Sequence, residues 1–277
     1  MRSWARRAER SELVAPQVNT RSQAADCDPA TTPLRLLSFN IQVGIQTTKY
    51  SHYLTNGWKH VLPHMNRAQN LRQIADVVSE YDVVALQEVD AGSLRSGFIN
   101  QVEYVADRAG FPYWYAQLNR DLGPIAQHGN GLLSRIEPQV LEDHKLPGVI
   151  PGRGAIVMRI PYGDQEVMVV HMHLSLGERS RQQQLEYVAR LIDGVQNVIV
   201  MGDMNSPVRR LLDVTALRET GLQPAREEVT PTYPAWRPAL ALDHVLCTPS
   251  LVVDRYDVLD CQVSDHRPVA VEVSLAA

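Results

Sequence analysis

The sequence predicts an α/β domain in which one sheet packs on another with helices outside, and three observations carry that reading. Continuous apolar runs such as those in "DVVALQEV" and "NVIVMGD" suit strands buried on both faces. Amphipathic segments are mixed among them, but not in the regular βαβα order of a doubly wound sheet, so mixed sheets fit better. The chain has 277 residues and 44% hydrophobic content, enough to bury one large core.

Residues 1–33 carry scattered arginines and no apolar block, so they are expected to form a mobile tail. The absence of a secretory signal gives an expected cytoplasmic location. The domain is expected to span 34–277. "LRLLSFNI" opens it as a strand, and "RAQNLRQIADVVSEY" follows as a helix with Leu71, Ile74, Ala75 and Val78 on one side. "DVVALQEV" is the next buried strand, and "INQVEYVADRAG" reads as a helix stopped by Gly110. Strands are expected at 113–117, 129–134, 153–160 and 166–174, then a helix over 178–193 closing near Gly194. Further strands are expected around 197–202, 242–247, 251–259 and 268–274. "PTYPAWRP" reads as a proline-rich loop within the domain.

The net charge of −4 and pI of about 6.1 give no global basic field to attract nucleic acid, although a nuclease that handles phosphate through a metal remains compatible. With Cys27, Cys247 and Cys261, an odd number, a reducing compartment is the plainer reading and a Cys247–Cys261 bridge the alternative. No apolar stretch has the length of a membrane helix.

Polar groups recur where apolar strands end. Asn40 closes "LLSFN", Glu88 follows "VVALQ", and His171 and His173 follow "EVMVV". Asp203 and Asn205 follow "VIVMG"; their two-residue spacing puts both on one face of an extended chain. Asp243 lies in "ALDHVL", and Asp265 and His266 precede "PVAVEVSL". Singly, each is a turn former or a satisfied structural group. Gathered at one edge of a sandwich, they form a cluster that is costly without a cation. Its oxygen-rich donors suit Mg²⁺, with Mn²⁺ as the alternative. Scattered cysteines and the lack of an HExxH motif argue against zinc.

The ordered set "SFN", "QEVD", "HMHLSLGERSRQQQL", "GDMNSP", "TYPAW…LDHVL" and "SDHRPV" resembles the endonuclease/exonuclease/phosphatase (DNase I-like) superfamily over residues 34–274, in a small bacterial form. That resemblance implies a four-layer α/β/β/α sandwich of two mixed sheets. It implies that Glu88 binds the metal, with Asn40 beside it and Asp265 near it. It implies that Asp203 positions or deprotonates water, that Asn205 and His173 contact phosphate, and that His266 acts on the reacting phosphate while oriented by Asp243. His171 stands where relatives carry Asn, and together with Asn130 and Arg153 it is a secondary candidate for substrate contact. The expected activity is metal-dependent hydrolysis of a phosphodiester, on a small or lipid-derived substrate. A nuclease acting on DNA or RNA is the alternative, and a non-catalytic binding module of the same fold is the third reading. A calcineurin-type phosphatase lacks its Asp-x-His and Gly-Asn-His motifs here.

Overall fold

Two seven-stranded mixed sheets lie face to face in the computed structural model, which describes residues 10–22, 32–44, 66–148, 152–228 and 230–276. The first sheet contains β1 (Arg10–Leu13), β7 (Val140–Lys145), β8 (Gly154–Tyr162), β9 (Gln165–His173), β10 (Val198–Asp203), β12 (Asp243–Cys247) and β11 (Gln223–Pro224), in that spatial order. The second contains β13 (Leu251–Val258), β14 (Val269–Leu275), β3 (Leu34–Asn40), β4 (Val83–Asp90), β6 (Gln127–Ser134), β5 (Tyr113–Asp121) and β2 (Gln17–Val18). Each sheet has one parallel pair, β9 with β10 and β3 with β4.

Alternation of side chains divides the apolar residues among three cores. Leu36, Ala85, Met158, Val169, Met201 and Val271 meet between the sheets. Val170 and Val200 face outward and are covered by Leu185, Val188 and Ile192 of helix α3 (Glu178–Ile192). The other outer face, Leu37, Phe39, Val84 and Leu86, is covered by α1 (Asn66–Val78) and α2 (Gln101–Ala109). Because both faces of each sheet are covered, the central strands read as unbroken apolar runs. The result is the expected α/β/β/α sandwich. Truncating a fully buried side chain such as Phe39 or Ile74 to alanine would cost about 2–5 kcal/mol.

Local signals fix the helix ends. The Asn100 side chain accepts from the Val102 and Glu103 amides, capping α2, and Gly110 adopts the left-handed conformation that ends it. Short helices at Val208–Leu212 and Thr215–Glu219 fill the connection after β10. Cys247 and Cys261 are free thiols, so the alternative of a bridge between them is not realised.

The expected tail needs correction. Arg10–Leu13 pairs with Val140–Lys145, and Gln17–Val18 pairs with the start of β5, so this segment adds an edge strand to each sheet. Backbone bonds from Val14 N to Leu141 O (2.9 Å) and Asn19 N to Pro112 O (2.8 Å) tie the intervening turn down. The sequence "RSELVAPQV" hides this because an edge strand needs little apolar surface; only Val14 packs against the core between the sheets. The remainder of the expected tail lies outside the described residues, apart from 19–22 and 32–33. Deleting residues 1–22 is therefore expected to lower the melting temperature by several degrees, since each kcal/mol lost moves a domain of this size by about 2–4 °C. An unchanged melting curve would restore the tail reading.

Candidate active site

Adjacent strands of the first sheet end in polar side chains that stand in register. His173 closes β9, Asp203 closes β10 and Asp243 opens β12, and Asp203 is the Cα partner of the other two. The glycine of "GDMN" permits this. Gly202 has φ +148°, and a Cβ there would fall on the Met172 carbonyl, so any side chain would force β9 and β10 apart. Asn205 follows with φ +49°, a left-handed conformation that asparagine tolerates. Its amide nitrogen donates to Leu174 O at 2.9 Å, and its backbone N donates to Asp203 Oδ1 at 3.0 Å.

Across the gap, the second sheet contributes Asn40 and Glu88. The Asn40 amide donates to Asp203 Oδ2 at 3.0 Å, linking the two sheets, and also bonds the Glu88 carboxylate. Glu88 is the extra residue of a β-bulge: Gln87 pairs with Asn130 and Val89 with Gly129, leaving Glu88 unpaired with φ +55°. Strict alternation would have aimed Glu88 outward with Leu86; the bulge re-aims it towards the site. A non-glycine residue held in this region stores backbone strain of a kind that clusters at functional sites.

His266 sits in the loop before β14. Its Nδ1 lies 2.8 Å from Asp243 Oδ2, and that same oxygen accepts from Thr232 Oγ1 at 2.5 Å. The ring of Tyr233 lies against the imidazole at 4.9 Å between centroids. Ser264 Oγ donates to Asn40 O at 2.7 Å, fastening this loop to the end of β3. His266 Nε2 points towards Asp203, 3.8 Å away, while His173 Nε2 lies 3.4 Å from the same carboxylate oxygen.

Charge is unevenly distributed over these groups. Burial pushes the Asp203 carboxyl up, with Asp243 adding to it, to about 7. Burial, reinforced by the charge of Asp265, likewise raises Glu88. Burial alone would lower His266, but Asp243, Asp203 and Asp265 outweigh it and hold the imidazole well above its ordinary value. His173 has the opposite fate: burial, then Arg153 and His266, push it well below, so it stays neutral. At neutral pH the cluster therefore holds a cationic imidazole, a neutral imidazole and a carboxylate near its midpoint.

Two groupings could hold a cation. Asp203, Asp243 and His266 offer ligand atoms within 4.8 Å of one another. However, Nδ1 of His266 is already bonded to Asp243, which makes this trio first a proton-handling pair beside a carboxylate. Glu88, Asp265 and Asn40 supply oxygen donors alone. Burial and the neighbouring charge of Asp265 make an ionised Glu88 costly, which a hard divalent cation would relieve. The donor set fits such a cation.

The site opens into a cavity of about 600 Å³ to which Glu88 and His173 contribute. Arg153 lines it, as do Asn130, Arg120 and Arg179. Asn130 Nδ2 is spent on Gln117 Oε1 and Gly154 O, both at 3.1 Å, so its role there is to hold the wall. His171 is not brought to the cavity. It shares a strand face with His173 but lies deeper between the sheets, fully buried, with Nε2 2.9 Å from Gln87 Nε2. Burial takes its pKa down to about 3, which makes it a neutral packing group. His244 is also structural, its Nε2 donating to Ser206 O at 2.8 Å.

Thr232 and Tyr233 were not singled out from sequence. They lie in "PTYPAWRP", where prolines dominate the reading, and only the closeness of "TYPAW" to "LDHVL" hinted that this loop returns to Asp243.

A sequence model of the Endonuclease/Exonuclease/phosphatase family matches residues 37–266. The chain belongs to that family. Its fold is shared with an endonuclease/exonuclease/phosphatase from Beutenbergia cavernae, at 21% identity and TM-score 0.67 over 89% of this chain and 72% of that one. It is similar to a mannosyl-6-phosphatase from Bacteroides thetaiotaomicron, at 19% identity and TM-score 0.64 over 87% of this chain and 100% of that one. It is also similar to D. rerio TDP2 complexed with a single-strand DNA product, at 19% identity and TM-score 0.64 over 87% and 98%. None of the curated proteins is close enough in sequence to match. Among the described residues of this family member, no helix is long and apolar enough to cross a membrane.

Proposed function

We propose that this family member hydrolyses a phosphodiester bond by metal-assisted attack of water, on a small or lipid-derived substrate. The observation that carries the reading is the register of His173, Asp203 and Asp243 at one sheet end, facing Asn40 and Glu88 across the gap. Glu88, Asp265 and Asn40 would hold a divalent cation, Mg²⁺ or Mn²⁺, whose chemistry when bound is to polarise a phosphoryl oxygen and offset transition-state charge. Asp203 Oδ2 accepts the proton of the attacking water, which its carboxyl near neutrality suits. His266, kept cationic by Asp243, donates from Nε2 to the phosphoryl oxygens. Neutral His173 donates a further hydrogen bond to the same group, and Arg153 supplies positive charge beside it. Asn205 fixes the turn that aims Asp203.

A nuclease is the second reading, favoured by the single-strand DNA product in the structure of D. rerio TDP2. The chain's net charge of −4 weighs against it. The test is hydrolysis of bis-p-nitrophenyl phosphate, p-nitrophenyl phosphate, plasmid DNA and a phospholipid headgroup diester with Mg²⁺, Mn²⁺ or EDTA. Metal-dependent turnover is expected, fastest on the small diesters, with Glu88→Gln requiring far more metal to reach half its maximal rate. Turnover that survives EDTA, or a Glu88→Gln variant with unaltered metal dependence, would sink the assignment. Plasmid DNA as the fastest substrate would select the nuclease.

A further inference from the structure

Beside the cavity stands a pair of turns with an outer face of large apolar side chains. One turn carries Leu94, Phe98 and Ile99, and the other carries Leu122 and Ile125; Phe98 is 66% exposed and Ile125 51%. Backbone bonds from Leu94 N to Pro124 O (2.7 Å) and Arg95 N to Ile125 O (3.3 Å) hold the turns side by side. Five large apolar side chains exposed on two adjoining turns are unusual for a protein surface that faces only water.

A buried polar network underneath keeps this face outward. The Asp90 carboxylate accepts from Gly92 N (2.9 Å), Ser93 N (2.7 Å), Ser93 Oγ (2.7 Å) and Ser96 Oγ (2.8 Å), and it pairs with the Arg95 guanidinium. It also accepts from Gln127 N at 3.3 Å, reaching the second turn. Burial would raise this carboxyl, but the Ser93 and Arg95 hydrogen bonds hold it well below the usual range. On this base Phe98 is fixed at φ +63°, with its N donating to Ser93 O at 2.8 Å. A bulky side chain in that conformation is an outlier, sustained here by its surroundings. The chemistry proposed for the site uses none of these groups directly, and the network holds both turns in place.

The turns are continuous with the cavity. Arg95 reaches His128 at 3.0 Å, and His128, opposite Arg120 in the β5–β6 register, lines the cavity. On the far rim Leu176 is 77% exposed. Arg120, Arg153 and Arg179 line the cavity together with the acids Glu88 and Glu178, and none of the three arginines makes an ion pair or hydrogen bond through its side chain among the described residues. The acid of the hairpin tip, Asp121, is turned back to accept from Gly123 N at 2.8 Å.

We propose that this surface docks the enzyme on an anionic phospholipid bilayer, with the turn tips in the interface and the arginine-lined cavity over the phosphate layer. The net charge of −4 gives no global attraction to an anionic surface, so docking rests on the exposed apolar side chains with Arg120, Arg153 and Arg179 acting locally, the combination that peripheral membrane binding uses. Docking stands independently of catalysis; only the entry of a headgroup phosphate into the cavity rests on the hydrolase reading above.

The test is co-sedimentation of the full chain in EDTA with phosphatidylcholine vesicles, with and without phosphatidylglycerol. Wild type is expected to partition onto the anionic vesicles, and Phe98→Asn with Ile125→Ser to weaken that by about tenfold or more. Asparagine is chosen because it tolerates positive φ; if the pair fails to fold, Leu122→Ser with Ile125→Ser is read instead. Hydrolysis of soluble bis-p-nitrophenyl phosphate should be unchanged in the variants, which separates docking from chemistry. Wild type that stays in the supernatant, or variants that bind equally well, would overturn the proposal. A wild-type dimer made monomeric by the substitutions would overturn it too, assigning the face to self-association.

Discussion

Replacing His266 with alanine is expected to lower kcat/KM by about 10³-fold or more while leaving the far-ultraviolet circular dichroism unchanged. The imidazole is held by Asp243 Oδ2 at 2.8 Å and packed by Tyr233, so its orientation is set before substrate arrives. Its charge is set as well, by carboxylates that outweigh the effect of burial. On the proposed mechanism, removal deletes a cation aimed at the phosphoryl group, and it leaves Asp243 buried without its counter-charge. Asp243→Asn should give a smaller loss, because an amide can still bond the ring but no longer favours its protonated form. A graded pair of losses measured on bis-p-nitrophenyl phosphate is the expected pattern. Full activity in His266→Ala would move phosphate stabilisation to His173.

Asp203→Asn is expected to cut turnover by about 10²–10⁴-fold and to make the protein more stable, two opposite signs from one substitution. The carboxyl is raised by burial from its ordinary value to about 7, so the folded chain binds its proton more tightly than the unfolded chain does. Stability from this group is full below the unfolded value and is lost as pH rises through the folded one. In EDTA, the melting temperature of Asp203→Asn should thus exceed that of wild type above neutral pH, and the gain should vanish in acid. Wild-type kcat/KM should climb with pH through the Asp203 ionisation, and that acid limb should be missing from the residual activity of the variant. A variant less stable than wild type at alkaline pH would mean that Asp203 is held by favourable contacts and is not a strained base.

How much of this was legible in the sequence depends on the distance over which each feature is specified. The apolar runs around Leu36, Val84, Val169 and Val200 announce central strands because they are covered on both faces, and the residues at their ends were readable by type and order. Asp203 and Asn205 were readable as polar strand-end residues, but the extended spacing that would put both on one face fails, because the strand ends at Asp203 and Asn205 turns left-handed and spends its amide on Leu174 O. The edge strand "RSEL" and its neighbour "VLEDHK" were not readable, because they bury too little for the period to show. The aim of Glu88 was not legible either, because a bulge is a relation between two strands and has no mark in one of them. His171 shows the limit of spacing. Two residues from His173 correctly gives the same face, but nothing in the interval says that one imidazole lies at the cavity and the other among packed side chains.

The placement of β14 has a consequence for how the molecule comes into being. Although β14 is the last strand in chain order, it lies inside its sheet, between β13 and β3, and the loop just before it carries Asp265 and His266. During synthesis every other strand leaves the ribosome first, with β3 waiting along one open edge for a partner that has not yet been translated. Until that partner emerges, His266 cannot stand against Asp243, so on the proposed mechanism a nascent chain would be inert towards phosphate esters however much of its sandwich had formed. The proposed reaction would thereby be withheld until β14 has emerged, and until then β3 presents an unpaired edge of the kind that favours aggregation.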